Sequence, residues 1–242
     1  MLEKEFIDRG FREPIPKLAS SNGWKEVQIK ENGERLVALN DLDKDLICVD
    51  PQYFKQGIPH ALSIMYLREG AANALIKAAK LLPKGFKLLV YDAWRPLEVQ
   101  QSLFDKFLQR LRVENPNWDE ERLFVETQKY VSLPSSNPNC PSPHNTGGAV
   151  DLSICNLRNV PLPMGAPFDF FGKEASTNYF EGLRNISLNQ ILFRNNRRML
   201  YHIMTSVGFT NYDEEYWHFD LGNQFDAVRK GTIAVYGATC PK

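Results

Sequence analysis

Two short segments concentrate the residue types that bind a metal ion and put it to use. The first, Ser142-Pro143-His144-Asn145-Thr146-Gly147-Gly148-Ala149-Val150-Asp151, has the form S-x-H-x-x-G-x-A-x-D. The second, Glu215-Tyr216-Trp217-His218, has the form E-x-W-H. Only four histidines occur in the chain, and His144 and His218 are two of them. Neutral imidazole nitrogens and a carboxylate oxygen are what a catalytic Zn2+ takes from a protein, with a fourth position left for water. His144, Asp151 and His218 are therefore the candidate ligands of a single zinc ion. Glu215 stands three residues before His218, a spacing that on a strand or irregular turn puts a carboxylate beside that water without making it a ligand. The glycines suit a tight turn with close approach of the backbone. Residues 150–154 alternate as a strand does, which would hold Asp151 on rigid backbone.

Taken singly, these residues carry little. A lone histidine is more often surface or core than ligand, and His60 and His202 take that reading. It fails for the set, because both patterns would then co-occur by accident.

The two motifs resemble those of the VanX-type zinc D-alanyl-D-alanine dipeptidases, a family that also contains VanY-type D,D-carboxypeptidases and shares its fold with the hedgehog signalling domain. Two more segments add to the resemblance. Leu88-Leu89-Val90-Tyr91-Asp92-Ala93-Trp94-Arg95-Pro96 looks like the family's strand ending in W/Y-D-x-Y/W-R-P, and residues 163–170 contain Met164-Gly165-Ala166-Pro167-Phe168-Asp169, similar to M-G-x-x-F-D. The resemblance runs over residues 45–222, with the motifs in the family's order. It implies that Arg95 stabilises the oxyanion and that Asp169 helps bind the free amino terminus of the substrate. Tyr53, in Cys48-Val49-Asp50-Pro51-Gln52-Tyr53, is similar to the tyrosine of W-D-x-x-Y, which also approaches that amine; Cys48 stands where an aromatic residue is common. Ser142 matches the motif serine and would hydrogen-bond the substrate, its alternative being a turn-forming serine.

Elementary chemistry asks for the same roles. Peptide hydrolysis at zinc needs a polarised water, a base for its proton and a cation for the developing oxyanion. Glu215 is the natural base, later returning the proton to the leaving amine. Arg95, at a strand end before a proline, supplies a charge that does not titrate away; a structural ion pair is its alternative. Asp169 between two phenylalanines has a plainer reading too, as a turn or helix cap.

Composition agrees with one enzyme domain. A chain of 242 residues can bury a substantial core, and 29 basic residues balance 29 acidic ones. That balance argues against nucleic acid or an anionic membrane as partner. No run of eighteen apolar residues is present to span a bilayer. Residues 1–9 are amphipathic and lack the apolar stretch of a secretory signal, which points to the cytoplasm, or to the periplasm if a signal has been removed. The four cysteines, Cys48, Cys140, Cys155 and Cys240, lack C-x-x-C spacing. Free thiols in a reducing compartment are the default, with disulfides open in an oxidising one.

The elements that must position these groups can be sketched. Residues 24–30 and 35–39 flank Glu31-Asn32-Gly33-Glu34, a hairpin signal, within an N-terminal extension, residues 1–44, that precedes a domain over 45–242. Helical spacing predicts helices over 61–82, from Pro96 to 113, over 118–129 and over 189–207, with strands at 86–91 and after residue 150. Arg194, Arg197 and Arg198 read as a solvated helix face. The expected fold is α+β: a single domain in which an antiparallel sheet carries the zinc site under packed helices, as in the hedgehog and D,D-peptidase folds. The expected function is hydrolysis of D-alanyl-D-alanine, a small D,D-dipeptide, with one Zn2+ per chain. Its rivals are a peptidoglycan D,D-carboxypeptidase or L,D-endopeptidase and a non-catalytic zinc-bearing binding module. An amine-binding carboxylate selects against substrates extended at that end, and a purely structural zinc site needs neither Glu215 nor Arg95. The sequence leaves the oligomeric state open.

Overall fold

The computed structural model describes residues 12–241; the amphipathic segment 1–9 lies outside them. Its centre is a five-stranded sheet in the order β2 (Ile47–Val49), β4 (Phe86–Asp92), β5 (Ala149–Asn156), β7 (His218–Asp220), β6 (Thr210–Asn211). Three of the four pairings are antiparallel, while β2 joins β4 in parallel at one edge. The fold is thus α+β as expected, with a mixed sheet in place of a purely antiparallel one. Strands β4 and β5 are buried almost end to end; β4 is apolar on both faces through Leu88-Leu89-Val90-Tyr91, while β5 alternates Val150, Leu152 and Ile154 with Asp151 and Ser153.

The two faces do different work. Leu88, Val90, Leu152, Ile154 and Phe219 point into the main core. Leu89, Tyr91 and Cys155 point the other way, where Phe168 packs on them. Because successive side chains alternate, Asp151 lies on this second face. The register pairs Asp151 with His218 on one side and, past a bulge after Val90, with Asp92 on the other. Directly opposed residues share a face, so one row of cross-strand partners delivers Asp92, Asp151 and His218 to the same place.

The core face is covered by helices α2 (Glu69–Lys80) and α5 (Leu188–Ser206); the other helices, in chain order, are the short α1 (Gln52–Lys55), α3 (Leu97–Glu114), α4 (Glu120–Gln128) and α6 (Gln224–Lys230). Helix α2 buries Ala71, Ala72, Ala74, Leu75, Ala78 and Ala79, small residues that allow close approach. Helix α5 starts with a capping box between Ser187 and Gln190 and buries Met199, Leu200, Ile203 and Met204. Each such large apolar side chain stabilises the fold by about 1.5–3 kcal/mol. Among the described residues no helix is long and apolar enough to cross a membrane.

Three local expectations give way to tertiary partners. The segments 24–30 and 35–39 do not pair as a hairpin: β1 (Leu36–Ala38) pairs with β3 (Tyr66–Arg68), and Ile29 bridges Ala234. The cause is Arg68, only 3 % exposed. Its guanidinium donates to Thr146 O at 2.8 Å, to Glu31 Oε2 at 3.0 Å, to Gly237 O at 3.0 Å and to Glu34 O. Residues 31–34 therefore wrap an arginine instead of closing a turn. The helix expected over 61–82 starts only at Glu69, because residues 66–68 are taken up as strand β3. The arginines of α5 are not a solvated face either, since Arg197 and Arg198 are 1 % and 8 % exposed.

Candidate active site

His144 sits on a 3-10 turn, Pro143–Thr146, closed by Gly147 at φ 71°. A Cβ on Gly147 would lie 2.4 Å from Leu36 Cδ2, so both conformation and space demand glycine there. This turn leads straight into β5 and Asp151, while His218 opens β7. His144 Nε2 lies 3.2 Å from His218 Nδ1 and 3.3 Å from Asp151 Oδ2, and His218 Nδ1 lies 3.0 Å from Asp151 Oδ1. A regular tetrahedron has an edge about 1.6 times its centre-to-vertex distance, so zinc bonds of about 2.0–2.2 Å correspond to edges of about 3.3–3.6 Å. The two nitrogens, and each nitrogen with one of the Asp151 oxygens, are spaced close to that edge, and all three residues are buried. The donor set fits a tetrahedral zinc with one vertex left over.

Each imidazole is oriented from behind. A carbonyl can only accept, so the 2.6 Å contact of His144 Nδ1 with Ala93 O puts the proton on Nδ1 and leaves Nε2 free for a metal. His218 Nε2 donates to Asp220 Oδ1 at 3.1 Å, leaving Nδ1. Asp220, fully buried, is itself held by Asn223 Nδ2 at 2.7 Å and Arg229 Nη1 at 3.3 Å. Burial works against charge on His218, but Asp220 and Asp151 outweigh it and push its pKa well above the usual imidazole value. A metal at Nδ1 must displace that proton, so binding weakens in acid. Burial also opposes the Asp151 carboxylate, yet His144 and His218 hold its pKa well below the ordinary range.

Around this cluster the remaining sequence-predicted residues line one open cleft of about 1670 Å3. Glu215 lies in the turn before β7, where its amide donates to Tyr212 O and its carbonyl accepts from His218 N. Burial raises its carboxyl to about 7; His218 opposes the shift, and Asp151 adds to it. The neighbouring Glu214 is exposed and accepts from Tyr212 Oη at 3.0 Å. Arg95 donates Nε to Asp92 Oδ2 at 2.7 Å, Nη1 to Gln100 Oε1 at 2.6 Å and Nη2 to Asp151 Oδ2 at 3.3 Å. Its guanidinium lies 5.0 Å from the ring centre of the buried Tyr53. Phe168 packs on Tyr53 and Tyr91, and the next residue, Asp169, turns back into the cleft in the left-handed region at φ 62°. Burial raises the Asp169 carboxyl to about 6, against the pull of Arg95. Ser142 lines the same cleft but accepts from Ser135 N at 3.0 Å, a bond that pins the loop before the His144 turn.

Several site residues escaped the sequence reading. Asp220 had a signal, since His218-Phe219-Asp220 alternates on a strand and must place both polar side chains on one face. Asp92 was visible inside the Arg95 segment without a role. Gln100 and Arg229, ordinary helix residues, and Asn223, the cap before α6, gave no sign, because such residues join a site only through tertiary packing.

Comparison with known proteins adds a family. The model of the Peptidase M15 family, described as D-ala-D-ala dipeptidase, matches residues 41–235. The chain is 29 % identical over 173 residues to a D-alanyl-D-alanine dipeptidase of Synechocystis, covering 65 % of this chain and 70 % of that protein. It is 32 % identical over 150 residues to the dipeptidase of the same name from Enterococcus faecalis, covering 62 % and 67 %. Among solved structures it is similar to a mutant of the vancomycin-resistance D,D-pentapeptidase VanY in complex with Zn(II). That likeness has a TM-score of 0.43 at 13 % identity, over 87 % of this chain and 97 % of that one.

Proposed function

The chain belongs to the Peptidase M15 family of D-Ala-D-Ala dipeptidases, and from that membership and the site's geometry we propose that it hydrolyses D-alanyl-D-alanine to two D-alanines with one zinc per chain. The observation that carries the reading is the convergence of His144 Nε2, Asp151 and His218 Nδ1 at tetrahedral-edge spacing, in a cleft shared with Glu215, Arg95 and Asp169. Zinc bound there would supply Lewis acidity to the scissile carbonyl and to water.

The chain's own residues supply the rest. Glu215, whose carboxylate takes no hydrogen bond among the described residues, accepts a proton from the attacking water. The hydroxyl adds to the carbonyl carbon, the C–N bond breaks, and Glu215 returns the proton to the leaving amine. A carboxyl raised to about 7 suits both directions of that transfer near neutral pH. Arg95 has five N–H donors, of which Asp92, Gln100 and Asp151 engage three. The remaining two can meet the oxyanion, and the three bonds hold the fork in place for it. Asp169, with the Tyr53 hydroxyl nearby, takes the ammonium of the dipeptide. An acylated terminus would leave that carboxylate desolvated and unpaired. Ser142, in the same cleft, accepts from Ser135 N and keeps its hydroxyl hydrogen to donate to the peptide. Residues 1–44 are an extension whose Glu31 and Glu34 brace the domain 45–242 through Arg68, and the cytoplasm is the compartment that four free thiols suit.

One observation favours a second reading, a D,D-carboxypeptidase acting on longer peptides. At about 1670 Å3, with walls reaching from Trp24 and Lys25 to Phe171, the cleft is larger than most small-ligand pockets. A product assay separates the two. D-Ala-D-Ala should be cleaved, its L,L counterpart and an N-acylated tripeptide ending in D-Ala-D-Ala should not; efficient cleavage of the tripeptide would establish the carboxypeptidase instead.

A further inference from the structure

We infer that Arg197 is a positioning residue for substrate selection, fixing from behind both the loop that carries Asp169 and the turn that carries Glu215. The inference rests on the reading of Asp169 as the amine acceptor and Glu215 as the base.

Arg197 lies in the middle of α5 and is 1 % exposed. Its Nε donates to Met164 O at 2.7 Å, Nη1 to Ser176 O at 2.6 Å and Nη2 to Glu174 O at 2.6 Å. Those carbonyls bracket residues 164–176, with Asp169 between them. The preceding helix residue adds a fourth anchor, Asn196 Nδ2 to Pro163 O at 2.8 Å. The guanidinium lies over the rings of Phe180, 4.7 Å away, and Tyr216, 4.4 Å away. Tyr216 directly follows Glu215, donates its hydroxyl to Ala166 O at 2.9 Å and its amide to Ala175 O at 3.0 Å. One buried cation thus ties the Asp169 loop to the Glu215 turn.

The chemistry of this arrangement argues against simple packing. Among the described residues Arg197 has no carboxylate partner within salt-bridge distance, and a buried charge met only by neutral carbonyls is expensive to keep. Burial draws its pKa down to about 10, with Tyr216 and Glu174 opposing. An apolar side chain would fill the same space more cheaply. What it could not do is donate to three carbonyls at once, which is the particular capacity of a guanidinium fork. The loop needs such a clamp, because Asp169 sits in the left-handed region at φ 62°, a conformation an L-residue keeps only when its surroundings impose it.

The test compares Arg197→Gln, Arg197→Lys and Tyr216→Phe with the parent protein. The main readout is the ratio of kcat/KM for D-Ala-D-Ala to that for N-acetyl-D-Ala-D-Ala, with kcat, zinc content and melting temperature measured beside it. Misplacing a reacting or binding group by about 1 Å costs on the order of 10²-fold. Arg197→Gln should therefore lower the selectivity ratio by at least about tenfold with full zinc content, and Arg197→Lys should restore only part of it. Tyr216→Phe, which removes one hydroxyl and keeps the ring, should shift the ratio in the same direction by less. It carries the test alone if the arginine variants do not fold. Asp169→Ala, run in parallel, tells the two failures apart. Unchanged selectivity in Asp169→Ala overturns the amine reading and this inference with it. Lost selectivity in Asp169→Ala, beside folded Arg197 or Tyr216 variants that keep it, overturns the inference alone.

Discussion

Replacing Asp220 by alanine asks how much of the metal affinity is made outside the ligand set. Asp220 touches no ligand position directly except through His218, whose Nε2 donates to it at 3.1 Å. The carboxylate is fully buried and further held by Asn223 and Arg229. Its loss leaves the Nε2–H without its acceptor, so the tautomer presenting Nδ1 to the metal loses its advantage and the ring loses its tether. Partners of this kind are worth about 10–100-fold in metal affinity, or about 1.4–2.7 kcal/mol. Chelator competition for zinc, with circular dichroism and thermal melting to establish folding, measures the effect. Asp220→Ala should weaken binding within that range, and Asp220→Asn, which keeps a carbonyl acceptor, by less. A folded Asp220→Ala protein that holds zinc within about twofold of the parent would refute the argument that this hydrogen bond sets the ligand.

Three further outcomes are expected. Glu215→Gln should lower kcat by about 10²–10⁴ while zinc content stays at one per chain, measured by single-turnover hydrolysis and metal analysis; near-normal turnover would move the base elsewhere. Arg95→Ala should cost about 10²–10³ in kcat, with Arg95→Lys rescuing poorly for want of the planar fork, in the same assay. With its carboxyl raised to about 6, Asp169 is ionised above that pH and protonated below it. KM for D-Ala-D-Ala should accordingly rise as pH falls through 6, and the rise should be absent in Asp169→Asn; an identical KM profile in the two proteins would contradict the amine contact.

The chemistry of this protein was more legible in its sequence than the architecture that arranges it. His144, Asp151 and His218 could be picked out by type and spacing, because few side chains suit a metal ion, and the structure brings the three together. Asp151 could also be placed on a strand, since residues 150–154 alternate locally. Residues 24–39 misled, because Glu31-Asn32-Gly33-Glu34 satisfies every local rule for a hairpin while the outcome turns on Arg68, thirty-odd positions away. Arg197 and Arg198 misled for a related reason: helical periodicity assigns arginine to solvent and has no means of seeing a row of carbonyls waiting inside. The parallel β2–β4 pairing at the sheet edge is likewise a tertiary choice that no short window contains.

The knot around Arg68 has a bearing on the order in which this molecule can become an enzyme. Its side chain joins Glu31, Thr146 and Gly237, and its own amide donates to Gly147 O at 2.9 Å. The His144 turn is therefore braced by stretches separated by about two hundred positions of chain. Contacts of such long range form late, after shorter loops have closed. During synthesis, the sheet bearing Asp151 can assemble while the brace still awaits residue 237. Capacity to hold zinc firmly should therefore arrive abruptly once residue 237 has been made, and a chain not yet that long would be protected from loading metal into a half-built cleft.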